Sequence, residues 1–227
     1  DNVFGKIRVS PYAYAARITH DVPSVHPTVV VSTRDRNILA IESEVRGALG
    51  NGVDSFLVVV GDTMPAVEHM AHHYEIVEHL RYLQDQMPEF EVGIPTRFRR
   101  WQYQRRVDLG AQFFVAGPVL DPATVATNIA RHERDPSDPP LYLMLIPPFS
   151  LVWIGRMEGI GAVAITDGLQ QRLVDTPAEE RRKLAWELAL ETADAARDAG
   201  CAGANLMGLR YATVVDEAAG VWHGVTR

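Results

Sequence analysis

Apolar and polar positions alternate along this chain with two periods. Short β-branched runs read as buried strands, and longer stretches with apolar residues every three or four positions read as helices. Pro27-Thr28-Val29-Val30-Val31-Ser32-Thr33 is the first strand. Asn37 to Leu49 follows, with Ile38, Ile41, Val45 and Leu49 at helical spacing, and Asn51-Gly52 stops it. The cycle repeats with a strand from Ser55 to Val60, a helix from Pro65 to Gln86, a strand from Phe90 to Ile94 and a helix from Trp101 to Leu109. Gln112 to Ala116 is a strand, Asp121-Pro122 caps a helix to about His132, and Leu141 to Ile146 is a strand. Before all of these, Ser10-Pro11 opens a helix from Tyr12 to Ile18, Ser suiting the N-cap and Pro the first turn.

The second half reads less evenly. Ser150 to Met157 is expected to be helical, and no period stands out from Gly159 to Leu173. Thr176-Pro177-Ala178-Glu179 reads as the start of a long helix that runs to Ala199 and ends at Gly200. Ala204 to Met207 is a last strand and Ala212 to Ala218 a last helix.

Strands alternating with helices imply a parallel sheet covered on both faces. Two architectures fit, the closed (β/α)₈ barrel and the open doubly wound sheet. No Gly-x-Gly-x-x-Gly turn follows a strand and no Walker loop is present, which disfavours the nucleotide-binding open sheet. Six strands are legible. A full barrel at ~30 residues per βα unit takes ~250 residues, so the 227 residues fall short by one or two units. The fold class expected is therefore α/β, a TIM-type (β/α)₈ barrel without its N-terminal one or two βα units, forming a single domain over residues 1–227.

Composition narrows the classes of function. A hydrophobic share of 47% supports one large core, and the net charge of −7 argues against a nucleic-acid partner, which needs a basic face. No apolar run reaches the ~20 residues that span a bilayer, so no membrane partner is expected. The single cysteine, Cys201, allows neither an intrachain disulfide nor a Cys-based zinc site, and it fits a reducing cytosol. The opening residues lack the apolar stretch of a signal peptide, and they also lack an initiator Met. His69, His72, His73 and His79 share one predicted helix; His69 and His73 could face one metal, but no third ligand is evident.

Several segments, in order, resemble methylenetetrahydrofolate reductase. Asp1-Asn2-Val3-Phe4-Gly5-Lys6-Ile7-Arg8-Val9-Ser10-Pro11 is similar to the family's loop after the second strand. Ser32-Thr33-Arg34-Asp35-Arg36-Asn37 resembles the Thr-Cys-Arg-Asp-Arg-Asn after the third strand, and Val60-Gly61-Asp62 the Gly-Asp that closes the fourth. Val107-Asp108-Leu109-Gly110-Ala111-Gln112-Phe113-Phe114-Val115 and Pro118-Val119-Leu120-Asp121 resemble the segments around the sixth.

The resemblance implies a barrel that passes a hydride from NAD(P)H through FAD to 5,10-methylenetetrahydrofolate, giving 5-methyltetrahydrofolate, and it places the first strand and most of the second upstream of Asp1. It implies that Asp62 lies near flavin and pterin, where its charge stabilises a cationic folate form. The alternative for Asp62 is a helix cap. Ser32 stands where the family has a Thr near the flavin; with Thr33 it bonds the flavin or caps the next helix. Gly61 adjoins the same site. Arg105 and Arg106 match basic residues near the cofactor phosphates, or form a solvated face. His72 and His73 lie near an adenosine-contacting stretch, and Phe149 near an aromatic that stacks on substrate. Arg210 lies one position from an Arg near the folate.

Other positions depart from the family. Its general acid, a Glu on the first strand, would precede Asp1. A His at the flavin corresponds to Val30, and the Thr-Gln-Pro whose Gln holds the pterin corresponds to Ala116-Gly117-Pro118. The run Ile94-Pro95-Thr96-Arg97 is shorter than the family's flavin loop. The alternatives are a flavin-free reductase that uses nicotinamide directly, or a non-catalytic barrel subunit that binds a partner chain. A folate or pterin substrate is the expected small-molecule partner, and a homo- or hetero-oligomer is open.

Overall fold

The computed structural model describes residues 8–34, 36–61, 72–87, 90–152, 154–155, 165–207 and 216–219. Six strands are present among them: β1 (Thr28–Ser32), β2 (Ser55–Val59), β3 (Glu91–Thr96), β4 (Phe113–Val119), β5 (Leu141–Leu145) and β6 (Gly203–Leu206). They follow one another in chain order across one sheet. The pairings β1–β2, β2–β3 and β5–β6 are parallel. A doubly wound sheet reverses its strand order at a switch point; these strands do not reverse. The fold is α/β, and its strand order is that of barrel winding.

The helices are α1 (Pro11–Asp21), α2 (Ile38–Leu49), α3 (His73–Gln84), α4 (Arg100–Asp108), α5 (Val125–Ala130), α6 (Asp167–Asp175) and α7 (Arg181–Asp198). The chain divides into two compact units, Asp1–Pro95 with Gln104–Phe114, and Thr96–Tyr103 with Val115–Arg227.

In the first unit, α1 starts at Pro11, as the Ser10-Pro11 pair predicts. Asn37 caps α2 by accepting from the Ala40 N–H at 2.9 Å. Ile41 and Val45 of α2, Ile76, Val77 and Leu80 of α3, and Val31, Phe56 and Val58 of β1 and β2 are all buried to 1% exposure or less. Phe56 meets Phe90 edge to face at 5.8 Å. Each such aliphatic side chain, fully buried, contributes about 1.5–3 kcal/mol. Ile38, predicted to be core, is exposed, because Ala48 completes the buried stripe of α2 instead.

The second unit has its own core, Leu120, Ile146, Ile154, Leu169, Leu173, Leu184 and Leu188. Residues 151–152 and 154–155 are helical, as expected for part of 150–157. Helix α6 falls in the stretch that shows no period. Its signal is local: the Thr166 hydroxyl caps it, accepting from the Leu169 N–H at 3.2 Å. The predicted cap at Thr176 lies elsewhere. The Thr176 hydroxyl donates to the Arg172 carbonyl at 2.7 Å, ending α6, and α7 begins at Arg181 after a turn. Of the predicted last helix, residues 216–219 are helical; 212–215 lie outside the described residues.

Candidate functional site

In parallel α/β folds, ligands gather at the C-terminal ends of the strands. In the first unit, β1 ends at Ser32 and β2 at Val59, with Gly61 two residues on. Ser32 pairs with Val59 in the ladder, and the Thr33 N–H continues it to the Val59 carbonyl at 3.0 Å. Gly61 has φ +84°, the left-handed region that side chains resist. A Cβ there would stand 2.5 Å from Ser32 Oγ and 3.1 Å from Arg34 Cβ. The backbone at Gly61 therefore packs directly against Ser32 and Arg34, too closely for any side chain at this position.

Ser32 is 9% exposed, and its hydroxyl has no hydrogen-bond partner among the described residues. An unsatisfied buried hydroxyl costs about 1–3 kcal/mol. Such groups in a folded protein mark a ligand, an ordered water or stored strain. Here the hydroxyl lies close against the backbone at Gly61, at the C-terminal end of β1. An extended strand alternates its side chains, so Thr33 points to the other face, beside Val31. The Thr33 hydroxyl is also buried and unpartnered among the described residues. Neither hydroxyl caps α2; Asn37 does.

Two other expected cofactor residues of this unit meet at one ring. The Arg105 guanidinium sits 4.7 Å from the centre of the Tyr74 ring, and the His72 ring is 5.3 Å from the same ring. His72 occupies the N-cap of α3 without a side-chain cap bond. Arg105 is exposed, whereas Arg106 is buried. Tyr74 was not singled out in the sequence; it sits on the same helix end as His72, but only the fold sets it under Arg105. The predicted metal pair contains His69, outside the described residues. His79 instead bonds Glu42 across α2 and α3 at 2.7 Å. Among the described residues no group of three metal-ligating side chains occurs. Asp62, Arg210 and the His73 side chain also lie outside the described residues.

In the second unit, Gly117 has φ +118°, and a Cβ there would lie 2.7 Å from the Met144 carbonyl oxygen. The backbone of β4 thus passes too close to β5 for any side chain at this position. Phe149 packs edge-on against Trp186 at 5.2 Å, with the Arg182 guanidinium 5.4 Å from its ring centre. Arg182 binds both oxygens of Glu217, and Trp186 Nε1 donates to the same carboxylate at 2.9 Å. These two donors, Arg182 first, hold the Glu217 carboxyl below its usual pKa. The Phe149 ring therefore belongs to a packed cluster on α7.

Two further buried polar groups in this unit are structural. Asp121 accepts from the Ala123 N–H at 3.0 Å, the Thr166 N–H at 3.1 Å and the Thr166 hydroxyl at 2.6 Å. It thereby ties the helical turn after β4 to the start of α6, extending the cap role read from Asp121-Pro122. His132 is fully buried, stacked on Tyr103 at 4.8 Å and Phe98 at 5.6 Å. Its Nε2–H donates to the Arg97 carbonyl at 2.8 Å, and Nδ1 has no partner among the described residues. Burial, more than any charge, pushes the His132 pKa down.

Two open grooves avoid all these residues. One of about 570 Å³ lies around Arg46, Gly52, Asp54 and Met87, at the N-terminal end of β2. The other, about 560 Å³, lies around Ile129, Arg134 and Gly200. In barrels the N-terminal face serves stability.

Neither a protein-family model nor a curated protein matches the sequence. Among solved structures, the chain is similar to mandelate oxidase, with a TM-score of 0.42 at 18% identity, covering 85% of this chain and 64% of that one. The same protein with (S)-2-phenylpropionate gives 0.42 at 18%, over 85% of this chain and 63% of that one. A variant with a monooxide FMN adduct gives 0.41 at 19%, over 85% and 63%. The chain thus spans less than two thirds of the length of these neighbours, and at this level of superposition and identity neither a shared fold nor a shared chemistry follows.

Proposed function

We propose that this chain forms the core of a flavin-dependent reductase of the methylenetetrahydrofolate reductase type, built on a (β/α)₈ barrel. The ordered motifs from Ser32-Thr33-Arg34 to Pro118-Val119-Leu120-Asp121 support this reading, as does the unreversed strand order. The observation that carries it is the buried, unpartnered Ser32 hydroxyl beneath the left-handed Gly61. A buried hydroxyl without a protein partner among the described residues, at the C-terminal end of a strand, fits the polar edge of a planar heteroaromatic cofactor. Ser32 would hold that edge. Arg105, with Tyr74 and His72, would hold the phosphate and adenine portion of FAD, by charge and by stacking.

When bound, the flavin supplies hydride transfer between NAD(P)H and the folate. The protein's own work would be to orient the ring at Ser32, and the family resemblance assigns Asp62 to the reacting groups. The test is the absorbance of the purified full-length protein with added FAD. Visible flavin bands, bleached by NADH or NADPH and restored by methylenetetrahydrofolate, are the expected result. A protein that stays colourless would overturn the reading.

Gly117 favours a second reading. Where the family holds the pterin with a Gln side chain, this backbone excludes any side chain. A barrel that has lost folate reduction, either as a flavin-free reductase or as a non-catalytic subunit of a hetero-oligomer, is consistent with that exclusion. A colourless protein that binds NADH supports the first form. One that binds neither cofactor and co-purifies in fixed ratio with another chain supports the second.

A further inference from the structure

The His132 ring closes a small buried cluster that the flavin reading does not use. It lies just beyond the end of α5 and is fully buried. The ring stacks on Phe98 at 5.6 Å and 25° and on Tyr103 at 4.8 Å and 21°. Its Nε2–H donates to the Arg97 carbonyl at 2.8 Å. All three contacts fall on residues 97–103, which lead from β3 into α4, and all lie within the second unit. That segment is otherwise exposed, at Arg97, Arg99, Arg100 and Trp101.

This geometry leaves no place for a second proton. A carbonyl only accepts, so Nε2 carries the hydrogen and Nδ1 of the neutral ring carries a lone pair. Nδ1 is buried and has no partner among the described residues. In an imidazolium it would be a donor with nothing to accept from it. The charged groups around the ring do not compensate. On the segment before α4, Arg97 and Arg99 are cationic, and Arg100 pairs with Glu133 at 2.9 Å. After α5, Arg131 is exposed and Arg134 donates to the Tyr103 hydroxyl at 3.1 Å. Asp138 accepts from that hydroxyl at 3.2 Å, and Asp135 accepts from Ser137 at 2.6 Å. Burial opposes a charge on the imidazole most, and Arg134 opposes it as well.

We infer that His132 is a pH-sensitive latch: its neutral ring, stacked on Phe98 and Tyr103 and bonded to Arg97, holds residues 97–103 against the turn after α5, and protonation releases them. Release brings the ring into water, where it takes its proton at the ordinary value of about 6.5. The latched ring takes it only in stronger acid. Between the two values, each unit of falling pH shifts the balance toward the released form by up to about ten-fold. The segment follows the C-terminal end of β3, and ligands of parallel α/β folds gather at such strand ends. The latch makes the order of an arginine-rich segment there depend on pH, independently of the flavin reading.

The test is amide hydrogen exchange of the full-length protein, corrected for the intrinsic pH dependence of exchange, in the wild type and in H132Q. A glutamine amide can donate to the Arg97 carbonyl but does not titrate. The Arg99 and Tyr103 amides donate to the Arg97 and Arg99 carbonyls, at 2.7 and 3.0 Å, and report on the segment. In the wild type they are expected to exchange faster than the amides of β5 at every pH. Their protection is expected to fall by up to about ten-fold per unit below pH ~6.5. In H132Q that fall is expected to vanish. Equal protection at Arg99, Tyr103 and β5 would mean that only global unfolding frees the segment, and would overturn the latch. So would wild-type protection that does not change with pH, or a fall that persists in H132Q. The wild-type profile decides by itself if H132Q does not fold.

Discussion

Two strand ends treat buried polar groups in opposite ways. After β4, the Asp121 carboxylate is 3% exposed and accepts three hydrogen bonds from Ala123 and Thr166. After β1, the Ser32 hydroxyl is 9% exposed and makes no hydrogen bond among the described residues, packed against the left-handed Gly61. A saturated polar group holds the fold together, and replacing it is expensive. An unsaturated one costs stability in the free protein, and its benefit must come from something that binds. The contrast separates what Asp121 and Ser32 do, although both belong to motifs of the same family resemblance.

The largest effect is expected at the saturated end. D121A removes a buried acceptor of three bonds and leaves the Thr166 and Ala123 donors unpaired. It is expected to lower stability by about 3 kcal/mol, read as a shift in the urea midpoint. If D121A unfolds at the wild-type midpoint, the two ends do not differ as described.

At the unsaturated end the sign reverses. S32A is expected to leave stability unchanged or raise it by up to about 1 kcal/mol, since it deletes an unpaired hydroxyl. It is also expected to weaken flavin binding about ten-fold, the worth of one hydrogen bond of ~1.4 kcal/mol, measured by fluorescence titration. Stability lost together with binding would mean that Ser32 has a protein partner in solution.

His132 offers an intermediate case, with one ring nitrogen paired and the other not. Burial favours its neutral form, so its folded pKa lies below the unfolded value of about 6.5. Above that pH both states are neutral and the stability from this group is complete. As pH falls below it, the unfolded chain takes up the proton first, and stability declines toward the folded value. Urea midpoints measured across this range are expected to fall with acid in the wild type, and H132F is expected to flatten the decline. The smallest effect belongs to the Arg172–Glu191 pair on the exposed faces of α6 and α7. Breaking it with R172A is expected to cost about 0.5 kcal/mol or less, and less still in high salt.

Much of the fold was legible because parallel strands and amphipathic helices write their burial into the sequence. Val29 and Val31, Phe56 and Val58, and Ile76, Val77 and Leu80 are buried as the pattern predicts. The misreading at Thr176 has a local cause. A Thr-Pro-Ala-Glu string suits a helix start, but the same hydroxyl also satisfies the last carbonyls of a helix that ends there, and α6 had left no periodic trace. Of the candidate site, the resemblance pointed to Ser32, Gly61, His72 and Arg105, and the residues were named from the order of motifs rather than from any contact. That Tyr74 joins His72 and Arg105, and that Phe149 packs on Trp186, depend on neighbours distant in sequence.

The sequence by itself determined the alternation of strands and helices, the helix starts at Ser10-Pro11 and Asn37, and the apolar stripes that face the cores, because period and capping chemistry are local properties of the chain. Only the tertiary structure decided which polar groups are satisfied. The Asp121 carboxylate finds Thr166 forty-five residues away, and the Ser32 hydroxyl finds no partner among the described residues, because hydrogen-bond partners across strands and loops are brought together by packing and carry no mark in the local pattern.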